Sequence, residues 1–267
     1  MGKKIILTGL SASEYIHPME RDSALKLDQM IGVSGLLDRL SDLGLAVNQQ
    51  VVLGKYVEVL HEMQPELQAV LREVCHILNF RGDIHLLITR EYQSSCIQLG
   101  RDTMYILIPD WMIEKASTDM LYYLIGNAVG MFKGGHIRLA TATSILQYVP
   151  EAFPVRLALQ ARQRAADLSS DRAGLLACQN FAEAARCILW DMGMPADELL
   201  SLQDEEIQDL VQDYTQEIDS LYQGELTAAA TAWTKWNGTV SPGYFRLKEL
   251  YQWYKTGYQQ LIKRYSS

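Results

Sequence analysis

Three short β-strand patterns lie together in residues 84–108, and almost everything after them has helical periodicity. The strands are predicted over Ile84–Thr89, Ser95–Leu99 and Met104–Ile108, and Gly100-Arg101-Asp102 is a turn of the kind that closes a hairpin between the last two. Helices that follow a single cluster of strands are typical of α+β domains. We therefore predict an α+β, mainly helical fold whose small sheet contains an antiparallel pair.

The other predicted elements are mainly helices, with limits set by caps, glycines and prolines. Pro65 is expected to open one helix and Ser117 to cap another, which Gly134-Gly135 interrupts. The predicted organisation is an N-terminal segment over 1–20 and a single domain over 21–267. The predicted helices are Arg21–Leu43 with Gly44 after it, Pro65–Leu78, Met120–Phe132, Ile137–Gln147, Val155–Cys178, Ala182–Met192, Asp204–Leu221 and Tyr244–Tyr265, and further short strands are predicted at Lys3–Leu7 and Gln49–Leu53.

Composition excludes several classes of protein. The 267 residues carry 24 Lys+Arg against 32 Asp+Glu, a net charge of −8, without a basic cluster, which argues against nucleic acid or an anionic membrane surface as a partner. The cysteines (Cys75, Cys96, Cys178 and Cys187) form no C-x-x-C pair, as expected in a reducing compartment. No uninterrupted apolar run reaches about 18 residues, so no membrane span is predicted. We expect a soluble, cytoplasmic protein.

The most specific segment runs from Ile125 to His136 and reads I-G-N-A-V-G-M-F-K-G-G-H. It resembles the active-site helix of the gluzincin zinc metallopeptidases that include the heat-shock protease HtpX and the CAAX-prenyl endopeptidases, where the pattern is I-G-H-E-L-G-H-I-K-x-G-H. Ala166–Cys178 is similar to a second segment of that family, A-E-L-x-A-D-R-A-G-L-L-A. The resemblance covers most of the chain and implies a minigluzincin-like fold, in which the active-site helix packs on the small sheet.

The positions that carry the family's chemistry are those at which this sequence differs. In the family, two histidines one helical turn apart bind zinc, and the glutamate after the first is the general base. Asn127, Ala128 and Met131 occupy these three positions, and Asp167 replaces the glutamate that is the third ligand. An amide, a methyl group, a thioether and one short carboxylate form a poor zinc site without a base. The resemblance thus implies no catalytic residue, no metal ligand and no cofactor.

The substituted residues are expected to have structural roles. We expect Asn127 to be a buried amide that is hydrogen-bonded to a neighbour, for which Asp167 is a candidate. Met131 is expected to fill the space of a metal-bound imidazole. Asp167 is expected to be solvated or paired with an arginine such as Arg164 or Arg138.

Three further residues of the motifs are predicted to support the same region. Asp171 and Arg172 are expected to bond across to the central helix, as groups that orient a metal site do in active relatives. His136 belongs to the family's motif but is not one of its metal ligands, and it is expected to cap or pack near the end of that helix.

Three hypotheses for function remain open. The first is a catalytically inactive metallopeptidase-like protein that works in binding, regulation or assembly, with a protein or peptide partner. The second is an active zinc metalloendopeptidase with ligands from other positions, and the third is an inert structural subunit. In the family, a peptide adds to a sheet edge beside the active-site helix. The corresponding edge here is Ser95-Cys96-Ile97-Gln98-Leu99, unless Lys3–Leu7 or a partner's strand covers it.

Overall fold

The computed structural model describes residues 3–28, 57–58, 63–90, 97–99, 103–136, 153–221 and 242–266, together with single positions between 35 and 46 and between 139 and 146. The described part is mainly helical and contains one small sheet. Its helices are α1 (Pro18–Asp28), α2 (Pro65–Ile77), α3 (Asp110–Lys115), α4 (Thr118–Lys133), α5 (Phe153–Cys178), α6 (Phe181–Asp191), α7 (Ala196–Ser201), α8 (Asp204–Leu221), α9 (Gly243–Trp253) and α10 (Gln259–Ser266), with a 3₁₀ turn at Ala12–Glu14.

The sheet has the strand order β1-β2-β4-β3, where β1 is Val57–Glu58, β2 is Asp83–Thr89, β3 is Ile97–Leu99 and β4 is Thr103–Pro109. The expected antiparallel pairing of β3 with β4 is present, and β1 pairs antiparallel with β2. The longest pair, β2 with β4, is parallel, which the hairpin prediction did not anticipate. Since Met104–Ile108 are buried without alternation, β4 has the pattern of a strand covered on both faces, as parallel strands are.

The central helix pair, α4 and α5, packs at very short range because small residues face one another. A Cβ atom on Gly126 would lie 2.3 Å from Cβ of Ala177, and one on Gly130 would lie 2.2 Å from Cβ of Ala173. Two Cβ atoms cannot approach this closely, so α4 and α5 can pack at this distance only because Gly126 and Gly130 have no side chain. The same helix α4 also lies against β3 and β4, so it forms the centre of the fold.

The ends of α4 agree with the sequence prediction. The Ser117 hydroxyl accepts a hydrogen bond from the Met120 amide, and the helix ends at Gly134. Gly135 follows with φ of +74°, a conformation that glycine adopts without steric cost. Among the described positions of the predicted helix 137–147, Leu139, Thr141, Ala142 and Leu146 are helical.

Other boundaries differ from the predictions. Gly44 and Ala46 are both helical, so Gly44 does not end its helix. The predicted helix Tyr244–Tyr265 is two helices, α9 and α10, joined by a π-helical turn at Tyr254–Tyr258. The predicted strand Gln49–Leu53 lies outside the described residues.

The N-terminal residues Lys3–Leu7 are not a strand, because their hydrogen bonds go to helices instead of the sheet. The Ile5 amide donates to Gln179 Oε1 at 2.8 Å, and Gln179 Nε2 donates back to the Ile5 carbonyl at 2.7 Å. The Leu7 amide donates to the Ile77 carbonyl at 3.0 Å. Lys133 extends this connection, since its ammonium group donates to the carbonyls of Leu10 and Leu78. The segment thus joins the C-terminal ends of α2, α4 and α5.

No helix in the described part of the chain is long and apolar enough to cross a membrane.

Candidate functional site

Asp171 on α5 lies at the centre of a buried cluster that also includes Asn127, Tyr123 and Arg246. Its side chain is 1% exposed. Oδ1 accepts hydrogen bonds from Asn127 Nδ2 at 2.9 Å, from the Tyr123 hydroxyl at 2.8 Å and from Arg246 Nη2 at 2.7 Å. Oδ2 accepts a bond from Arg246 Nε at 2.9 Å. The carboxylate is therefore saturated by donors from α4 and α9.

The charges in this cluster stabilise one another. Arg246 binds both oxygens of Asp171, the bidentate geometry that makes arginine–carboxylate pairs strong, and also reaches Asp191 at 3.4 Å. Burial alone would lower the pKa of Arg246, but the charge and hydrogen bonds of Asp171 hold that pKa well above its ordinary value. Burial and the same carboxylate raise the pKa of Tyr123 well above its ordinary value. The cluster thus combines a bidentate pair of the Arg246 guanidinium and Asp171 with a protonated Tyr123 phenol.

Asn127 is hydrogen-bonded as expected, but it is half-buried instead of buried, and its partner is Asp171 instead of Asp167. The two aspartates lie four residues apart on α5, on one face of the helix. Asp167 is half-buried, and its charge counteracts the lowering of the pKa of Arg164 by burial, so the two residues interact as anticipated. Arg138, the other proposed partner, lies outside the described residues.

Ala128 and Met131 complete the set of substituted positions. Ala128 is fully buried in the main core, where it contributes no group that could accept a proton. Met131 is half-buried on the same helix. The side chain after Asn127 is therefore a methyl group that packs in the core.

The side chains present do not fit the zinc ion that the resemblance would imply. The amide nitrogen of Asn127 points at a carboxylate, Ala128 has no donor, and a thioether is a soft ligand that suits Cu(I) better than zinc. The carboxylate of Asp171 already receives hydrogen bonds from three side chains. Within the described ranges, no group of three His, Cys, Asp or Glu residues has the geometry of a metal site.

His136 forms a second buried polar cluster with Glu20 and Ser169. His136 Nε2 lies 2.7 Å from Glu20 Oε1, and the Ser169 hydroxyl donates to Glu20 Oε2. Burial alone would raise the pKa of Glu20, but the hydrogen bond and charge of His136 and the bond from Ser169 outweigh it, so that pKa is lowered. Glu20 was not a candidate in the sequence, because an acid in the first turn of a helix is ordinary.

Arg172 does not bond across to the central helix, in contrast to the prediction. Its Nη1 lies 3.5 Å from the carbonyls of Tyr15 and Ile16, and its guanidinium lies over the Trp253 ring, 5.1 Å from the centroid. Burial lowers the pKa of Arg172 to about 10 although Glu249 counteracts this. Arg172 and Asp171 point to different sides of α5 because neighbouring helical residues are about 100° apart.

The predicted peptide-binding edge is at the border of the described sheet. β3 pairs with β4 on one side, and no described strand pairs with its other side. Its backbone lies next to α4, the helix of Asn127. Lys3–Leu7 bonds elsewhere and does not cover this edge. Ser95 and Cys96 lie outside the described residues.

Comparison with known proteins leaves the chain without an assigned family. No family model, no curated protein and no solved structure matches it.

The sequence prediction missed two members of the Asp171 cluster, Tyr123 and Arg246. Tyr123 lies one turn before Asn127 on α4, and that spacing was the available signal for it. Arg246 lies 75 residues after Asp171, and nothing in the sequence pairs the two residues.

Proposed function

We propose that the chain is a catalytically inactive metallopeptidase-like protein that binds extended peptide segments without cleaving them. The observation that carries the proposal is the bidentate ion pair between Asp171 and Arg246, to which Asn127 is hydrogen-bonded. Arg246 balances the charge of the carboxylate next to Asn127, so this carboxylate attracts a cation only weakly. These bonds support a structural role for Asp171, Arg246 and Asn127.

Loss of catalysis follows from the chemistry of the four substituted positions taken together. Hydrolysis of a peptide needs a polarising group for the carbonyl and a base for water. Asn127, Ala128 and Met131 supply neither, and Asp167 is one carboxylate beside an arginine. One changed position could be compensated, whereas four leave no combination of ligand and base.

Peptide binding needs different groups, which the substitutions leave in place. A peptide that adds to a sheet edge bonds through main-chain amides and carbonyls, so it requires an unpaired strand and no metal. Such an edge is supplied by β3 in the described sheet. We infer that an extended peptide or a strand of a protein partner pairs with Ile97–Leu99.

We expect the purified protein to contain no stoichiometric zinc and to cleave no casein. Metal analysis after incubation with excess zinc and gel filtration checks the first point, and release of label from fluorescein-casein checks the second. A chelator is expected to leave the melting temperature unchanged. About one zinc per chain that disappears in Asp167→Ala, together with chelator-sensitive cleavage, would show that the protein is an active peptidase.

We expect only one of two neighbouring proline variants, Ile97→Pro and Gln98→Pro, to impair casein binding without a loss of stability. Successive residues of an edge strand point their N–H groups alternately to the partner strand and away from it. One variant therefore removes an outward donor, and the other breaks a bond to β4 and lowers the melting temperature. Fluorescence anisotropy of labelled casein measures binding, and a loss of at least about tenfold is expected for the stable variant. Equal binding in both variants, or no binding in the wild type, contradicts the proposal.

A further inference from the structure

A cavity of about 310 Å³ lies between the N-terminal 3₁₀ turn, the start of α1 and the C-terminal helices α9 and α10. It shares no residue with the Asp171 cluster. Sites for small molecules in proteins have volumes of roughly 300–1,000 Å³, so the cavity suits a small ligand. The charged residues among its described lining are Glu14, Arg21 and Arg264.

The Glu14 carboxylate already has bonds to both of its oxygens. Oε1 accepts a hydrogen bond from the Arg264 guanidinium, and Oε2 accepts from the Ser11 amide at 2.8 Å and from the Tyr265 hydroxyl at 3.0 Å. The charges of Glu14 and Arg264 therefore balance one another, and Glu14 is not the partner of the second arginine in the lining.

Arg21 adds a positive charge that no carboxylate balances in the described part of the chain. Its Nη2 donates to the Ser13 carbonyl at 2.6 Å, and it has no ion pair with a described residue. Burial lowers the pKa of the neighbouring Arg172 to about 10, Glu249 counteracts this, and the charge of Arg21 adds to the lowering. Arg172 Nε is also buried without a hydrogen-bond partner. The excess of positive charge favours an anionic ligand.

The Trp253 indole supplies a second donor in the same lining. Its Nε1–H has no hydrogen-bond partner among the described residues and is not sealed off by protein atoms, so a ligand can reach it. A Cβ atom on Gly257 would lie 2.5 Å from Nε1, and glycine at this position of the π-helical turn therefore leaves the N–H uncovered. The Arg172 guanidinium lies over the indole ring, 5.1 Å from its centroid, which places a further positive charge behind the ring.

The chemistry of these two groups selects the kind of ligand. An indole and a guanidinium have N–H donors and no acceptor, so they complement acceptor oxygens. The Ser13 hydroxyl and the Gln260 amide in the lining can donate or accept and do not oppose this. A phosphate site usually has several cationic groups or a nest of backbone N–H groups. One unbalanced arginine beside the Glu14 carboxylate instead matches a group with a single negative charge.

We propose that this cavity binds the carboxylate of a small organic acid, with the Arg21 guanidinium and the Trp253 indole N–H as its donors. The net charge of the chain is −8, so attraction of an anion depends on this local excess of positive charge. The cavity and β3 have no residue in common, so the proposal does not depend on peptide binding.

Heteronuclear NMR of the indole N–H groups tests the proposal on the full chain. After sequential assignment, the Trp253 signal is followed while acetate, L-lactate or benzoate is titrated at constant ionic strength. At least one of these acids is expected to shift that signal saturably, with a Kd below about 10 mM. Arg21→Gln removes the charged donor and is expected to weaken the binding about tenfold. Because Arg21 is exposed, the melting temperature of this variant is expected to stay close to that of the wild type.

Arg90→Gln is the matched control. The Arg90 side chain is 90% exposed and pairs with Asp110 at 2.8 Å outside the cavity lining, so acid binding is expected to stay at the wild-type level. Sulfate tests the preference for a single negative charge and is expected to bind more weakly than the best of the three acids. The proposal is overturned if none of the acids shifts the Trp253 signal, if Arg21→Gln binds like the wild type, if Arg90→Gln loses as much affinity, or if sulfate binds at least as tightly.

Discussion

Replacement of Asp171 by alanine is expected to lower the free energy of unfolding by about 3–5 kcal/mol. The variant leaves the guanidinium of Arg246 buried without its bidentate partner and leaves Asn127 and the Tyr123 hydroxyl without an acceptor. Removal of one partner of a buried ion pair is costly mainly because the other charge stays desolvated. Urea unfolding followed by circular dichroism measures the effect as a shift in the midpoint.

Asp197→Ala is the control for that experiment. Asp197 pairs with Lys115 at 3.5 Å, and its side chain is 90% exposed. Solvent-exposed ion pairs contribute about 0–1 kcal/mol, so this variant is expected to stay close to the wild type. The double variant Asp171→Ala with Arg246→Met should recover part of the lost stability, since it also removes the guanidinium that has lost its bidentate partner. Equal midpoints for Asp171→Ala and Asp197→Ala would contradict the role given to the cluster.

Gly130→Ala is expected to destabilise the protein by about 2–3 kcal/mol, although alanine is the better helix former. The new methyl group would lie 2.2 Å from Cβ of Ala173, so α4 and α5 would have to move apart. That movement would disturb every contact along the central helix pair, including the bond from the Tyr15 hydroxyl to the Gly130 carbonyl. Thermal unfolding measures the loss.

Two companion variants separate steric overlap from helix propensity. Gly130→Ala combined with Ala173→Gly moves one methyl group across the interface, and it is expected to be more stable than Gly130→Ala alone. Gly35→Ala adds a methyl group to a helical position with no atom within 4 Å, and it is expected to be neutral or to stabilise by up to about 1 kcal/mol. A double variant that is less stable than the single one would show that the helix spacing is not the cause.

The two experiments also separate the function proposals from the fold. Asp171 and Gly130 are expected to affect stability, whereas the proline variant of β3 that keeps its bonds to β4 is expected to affect binding at wild-type stability.

Local sequence patterns determined much of the helical architecture. The apolar spacing in α2 predicted its buried face, because Leu67, Val70 and Leu71 recur at helical intervals and all three are buried. The cap at Ser117 and the glycines after Lys133 set the limits of α4 through backbone chemistry that involves only near neighbours.

Only the tertiary structure decided which distant groups meet. Asp171 and Arg246 are 75 residues apart and Glu20 and His136 are 116 apart, so no local rule pairs them. The parallel pairing of β2 with β4 and the partner of Asn127 depend in the same way on how the whole chain packs. By itself the sequence determined where many of the helices form, since this depends on residue type and short spacing. Burial and charge pairing arise from packing, because each depends on atoms that the fold brings together from distant parts of the chain.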